Sequence, residues 1–101
     1  MDEKAKILDI AMNLNRIGNW AADDYEAKRE RIELFLGNTT DYINSLPKDK
    51  LSKKFRKTYE AFLEEFVELK KAGQQGVKDP LKWAEDMMTW GNILTHRSKL
   101  I

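Results

Sequence analysis

An all-α fold, an antiparallel up-down bundle of four helices, is predicted from three observations. Apolar residues recur at steps of three and four nearly throughout the chain. No stretch sustains the apolar-polar alternation of a strand. Breakers are sparse: Gly at 18, 37, 73, 76 and 91, Pro at 47 and 80. Helices are expected at about 2–17, 23–46, 50–72 and 80–96, and the short connections between them favour antiparallel neighbours.

The first helix is capped by Asp2 and carries a stripe of Ile7, Leu8, Ala11, Leu14 and Ile17. Gly18 suits a left-handed terminus. The segment Asn19-Trp20-Ala21-Ala22 then reads as a connection, where Trp20 either plugs one end of the bundle or stays exposed to a partner. Because Gly18 is a weak break, a three-helix arrangement with the first two helices nearly continuous stays open. Asp23 or Asp24 caps the second helix, with Glu26 near the capping-box position, or Asn19 caps it earlier. Its stripe of Tyr25, Ile32, Phe35, Leu36, Thr39, Ile43 and Leu46 runs past Gly37, so one long helix is expected, weakened near Gly37 and Asn38.

Pro47 disfavours helical geometry at Leu46 and marks a turn. The third helix has the clearest amphipathic pattern, in Leu51, Phe55, Tyr59, Phe62, Leu63, Phe66 and Leu69, and ends near Ala72 and Gly73. At this span it is roughly 33 Å long. Residues 73–78 form the one flexible-looking linker. Asp79 and Pro80 give a strong helix start, and Trp83, Met87, Trp90 and Leu94 share one face of the fourth helix, which frays after His96. The aromatic stripes read as core, since they are the largest apolar groups available to bury.

A chain of 101 residues, 42% hydrophobic and 35% charged, fits one domain over residues 1–101 with a single modest core. Without cysteine there is no disulfide, thiolate nucleophile or thiolate metal site. The charged start Asp2-Glu3-Lys4-Ala5-Lys6 has no apolar segment behind it, and no run approaches membrane-spanning length. A cytoplasmic protein without membrane contact is expected.

Catalytic constellations are hard to find. His96 is the sole histidine, so a His-containing di-iron bundle is excluded, and its terminal position suits interaction with the helix dipole. Ser45, Ser52 and Ser98 have no recognisable base partner, and no phosphate-binding glycine loop occurs. Glu30/Glu33 and Glu65/Glu68 form two Glu-x-x-Glu pairs, a type of arrangement that can hold Mg²⁺ between facing helices. The pattern is similar to that of all-α nucleotide pyrophosphohydrolases, Glu-x-x-Glu followed by Glu-x-x-Asp. Glu68 departs from it, and the two pairs are further apart. No cofactor or metal is implied.

The charge order of the third helix is the informative feature. Lys48, Lys50, Lys53, Lys54, Arg56 and Lys57 crowd its start, and Glu60, Glu64, Glu65 and Glu68 follow, against the preference of the helix dipole. In up-down order these bases join Lys4, Lys6, Arg97 and Lys99 at one pole, against Asp2, Glu3, Asp9, Asp41 and Asp49. The pole then carries +5 and the remainder −4, hidden within a formal net charge of +1. The leading expectation is a non-enzymatic interaction or regulatory module, binding an acidic partner or itself through Lys48, Lys50, Lys53, Lys54, Arg56, Lys57 and Arg97. A small nucleic-acid-associated protein using the same pole is the alternative. A carboxylate-metal nucleotide hydrolase is the third reading.

Overall fold

The computed structural model describes residues 2–101. Among them are four α-helices and no strand: α1 (Glu3–Asp24), α2 (Arg29–Asn44), α3 (Lys53–Gln75) and α4 (Pro80–Arg97). They form an all-α bundle 38 Å long and 20 by 18 Å across. Each helix runs antiparallel to the next. Lys6 at the start of α1 reaches the Ser45 carbonyl at the end of α2. Arg29 of α2 meets Gln74 of α3, and Arg97 of α4 meets Thr58 of α3.

The helix starts follow local chemistry. The Asp2 carboxylate accepts the Ala5 N–H at 2.7 Å, the Ser52 hydroxyl that of Phe55 at 3.2 Å, and the Asp79 carboxylate that of Lys82 at 3.2 Å with Pro80 behind it. Only α2 lacks a side-chain cap at its own N-cap, Lys28. Asp24 instead caps the preceding turn, accepting the Ala27 N–H.

Several expected boundaries are corrected. Gly18 does not end α1, which runs through Asn19, Trp20 and Ala22 to Asp24. Gly18 is glycine because α4 lies against it: a Cβ there would sit 2.4 Å from Met88 Cγ and 3.0 Å from the Ala84 carbonyl oxygen. The break falls at residues 25–28, so α2 begins at Arg29 rather than near 23, and Tyr25 lies in the turn. A short 3₁₀ turn, Lys48–Lys50, follows Pro47, and α3 starts only after Ser52. α3 passes through Gly73 and stops at Gln75, where Gly76 takes φ 103°, open to glycine at little cost. The segment after His96 does not fray. Arg97 closes α4, and Ser98–Leu100 forms a 3₁₀ turn whose Leu100 carbonyl accepts the Ser52 hydroxyl. The continuity of α2 through Gly37 is as expected.

The core is one cluster drawn from all four helices, with Ile7, Leu14, Ile17, Ile32, Leu36, Phe55, Phe62, Met87 and Leu94 fully enclosed. Phe55, Tyr59, Phe62 and Phe66 form a ladder along α3 with ring centroids 5.4 to 6.1 Å apart. The tightest helix pair is α1 with α4, and the loosest adjacent pair is α2 with α3.

The Tyr59 hydroxyl is buried in this ladder with no hydrogen-bond partner among the described residues. Burial raises its pKa to about 12. The folded state therefore holds the neutral phenol, and stability is lost as pH climbs from about 10, the ordinary phenol value, toward 12. Tyr59→Phe removes the unpaired group while keeping the ring. It is expected to be neutral or to stabilise by up to about 1 kcal/mol at pH 7, read from urea unfolding, and to flatten the alkaline limb.

Candidate functional site

The bundle gathers the expected basic pole from four directions: the start of α1, the α2–α3 connection, the start of α3 and the end of α4. Its bases divide into two groups. Arg56 folds back along the connection, donating to the carbonyls of Lys48 at 3.2 Å, Asp49 at 3.2 Å and Leu51 at 2.9 Å. Lys6 donates to the Ser45 carbonyl at 3.0 Å. Both cations thus serve the negative end of α2 and the turn behind it, as the helix dipole favours. Arg97 donates to the Thr58 hydroxyl at 3.1 Å and ties α4 to α3.

The second group is Lys4, Lys99 and the five lysines around the start of α3, Lys48, Lys50, Lys53, Lys54 and Lys57. All five are exposed, and among the described residues none of their ammonium groups has a hydrogen-bond partner or a carboxylate within 4.0 Å. The three ion pairs among the described residues lie elsewhere: Lys28 with Asp23, Arg29 with Glu33, and Lys82 with Asp86. The hydrogen bond and charge of Lys28 hold the Asp23 carboxyl below the usual range, and those of Asp86 hold the Lys82 ammonium above it.

Trp20 is not in a connection. It is half-buried on α1, edge-on to Phe35 at 4.9 Å, with the Arg31 guanidinium over its ring at 5.2 Å. Its indole belongs to the α1–α2 contact rather than to a free aromatic surface. The carboxylate pairs also part company. Glu33 is paired within α2 to Arg29, and Glu65 accepts from the Trp90 indole N–H on α4 at 3.4 Å. No group of three or more Asp, Glu or His side chains suited to a metal occurs among the described residues. Among the described residues no helix is long and apolar enough to cross a membrane.

Two features were missed from the residue pattern. The first is a knot at the pole opposite the lysines. The Tyr25 hydroxyl donates to the Gly73 carbonyl and accepts the Val77 N–H, both at 3.2 Å. The Trp83 ring packs edge-on to Tyr25 at 6.1 Å, and its indole N–H donates to the Leu69 carbonyl at 3.0 Å. The second is an open groove of about 520 Å³ where α2 and α3 diverge. Thr40, Ile43, Leu63, Phe66, Val67 and Lys70 are among its lining residues. The signal for the groove was Val67, an aliphatic residue among Glu64, Glu68, Lys70 and Lys71 and outside the core stripe.

Comparisons with protein-family models, curated proteins and solved structures give no match to this chain.

Proposed function

We propose that this protein is a small non-enzymatic interaction module that binds an acidic protein partner through Lys48, Lys50, Lys53, Lys54 and Lys57. One observation carries the reading: five exposed lysines share a pole and have no carboxylate partner there. The Ser45 carbonyl at the end of α2 already draws on Lys6, and the carbonyls of the 3₁₀ turn on Arg56, so these lysines are not needed to neutralise them. Concentrated positive charge speeds encounter with an acidic surface and sets its orientation. Arg56 and Arg97 act as supports for the pole.

The test is titration of the full chain with a fluorescent oligo-glutamate peptide. Replacing Lys53, Lys54 and Lys57 together with alanine is expected to weaken binding about fivefold or more, while circular dichroism stays unchanged. Each exposed charge contributes only about 0.2–1 kcal/mol, so single replacements are expected to act weakly. Equal binding by the triple variant would remove the pole as the contact surface. A random DNA duplex bound more tightly than the peptide, with affinity falling steeply as salt rises, would reassign the pole to phosphate backbones.

A further inference from the structure

We infer that a second copy of this chain covers the exposed face of α3, with the two α3 helices crossing antiparallel about Val67. This surface is separate from the basic pole and does not depend on it.

The inference starts from the register of α3. Glu60, Glu64, Val67, Lys71 and Gln74 follow one another at steps of three and four, so they share one stripe, with Leu63 and Lys70 beside it. Val67 is 62% exposed, Leu63 is half-buried, and both line the groove between α2 and α3. The stripe therefore has an apolar centre, acids toward the N-terminal side and bases toward the C-terminal side. Among the described residues none of Glu60, Glu64, Lys70 and Lys71 forms an ion pair.

Such a stripe is complementary to itself when reversed. Glu64 and Lys70 stand three residues either side of Val67, and Leu63 and Lys71 stand four either side. A second α3 laid antiparallel across Val67 thus brings its Lys70 level with Glu64 of the first, and its Lys71 level with Leu63, between Glu60 and Glu64. The same contacts recur by two-fold symmetry, as in an isologous dimer. A parallel copy would set acid against acid and base against base. The neighbouring groove, lined by Ile43 and Phe66 as well, gives the apolar centre somewhere to seat.

In this arrangement the two basic poles lie at opposite ends of the dimer and remain free.

A charge-swap experiment on the full chain tests the proposal by light scattering. The unchanged chain is expected at twice its 11.8 kDa mass. E60K/E64K carries bases on both sides of Val67, and K70E/K71E carries acids on both sides. Each alone is expected to lose at least tenfold in dimerisation constant and run as a monomer, with helicity retained. An equimolar mixture of the two is expected to form a heterodimer, which a folding defect would not produce. V67D is expected to be monomeric by itself. A monomeric unchanged chain at millimolar concentration would overturn the proposal. So would dimers that persist in all variants, or a mixture that stays monomeric. Replacing Lys53, Lys54 and Lys57 with alanine should leave the mass unaltered, which separates this contact from the one at the pole.

Discussion

Trp83→Ala is expected to destabilise the fold by about 3–5 kcal/mol, the range for removing a large buried aromatic. A melting temperature lower by on the order of 15 °C follows for a chain of this size. The magnitude comes from three simultaneous losses. The ring is 4% exposed, so nearly its whole apolar surface returns to water. Its edge-on contact with Tyr25 disappears, and Tyr25 in turn holds the Gly73 carbonyl and the Val77 N–H. The face of Gly73 then opens, because a Cβ at that position would meet the Trp83 ring at 2.9 Å. Trp83→Phe keeps most of the burial and loses the indole hydrogen bond to Leu69. It is expected to cost about 1–2 kcal/mol. Equal effects of the two variants in thermal unfolding would show that burial of the ring contributes little beyond the indole hydrogen bond to Leu69.

Gly91→Leu is expected to cost about 3 kcal/mol or more through the opposite defect, overpacking. Even a Cβ at Gly91 would lie 2.6 Å from Asn15 Oδ1 and 3.0 Å from the Ala11 carbonyl oxygen. The Asn15 side chain can turn away, but the Ala11 carbonyl is helix backbone and moves only with α1. Gly18 makes the reciprocal approach to α4, so the axes cannot separate at one glycine without disturbing the other. Gly37 provides the control. It is exposed in the middle of α2, with nothing within 4 Å of a Cβ built there. Gly37→Ala is therefore expected to stabilise by about 0.5–1 kcal/mol through helix propensity alone. Urea midpoints moving in opposite directions would verify the distinction. A Gly91→Leu variant as stable as the unchanged chain would show that α1 and α4 do not approach this closely.

Gly18 and Gly37 illustrate what could be read from the residues. A glycine inside a helical pattern can mark a left-handed terminus, a close approach of two helices, or merely a weak position. Choosing among these requires knowing what lies opposite, and α4 is far from Gly18 in sequence. The residues themselves identify the apolar stripes, the Asp79-Pro80 start and the continuity of α2, since each rests on neighbours within one or two turns. Ser52 as a cap is equally local, but Leu51 before it continues the apolar stripe of α3, so the stripe alone starts the helix too early. The fates of Arg56, Arg97 and Trp20 were not legible: each depends on a carbonyl, hydroxyl or ring supplied by another element. Charge counting placed seven residues in one candidate surface. Five of them are exposed lysines without partners, and the two arginines instead hold backbone and side-chain acceptors.

The pairing of α1 with α4 also bears on how the chain reaches its fold. The tightest interface joins the first and last helices, so its formation closes a loop that contains the other two. That ordering carries an entropic cost which contacts between consecutive helices avoid. It also distributes cooperativity unevenly. A fragment ending after α2 would keep α1 and lose its principal partner. A fragment starting at α3 would keep α4 with the same loss. Neither half retains the contact that closes the bundle, so native order in each depends on the other being attached.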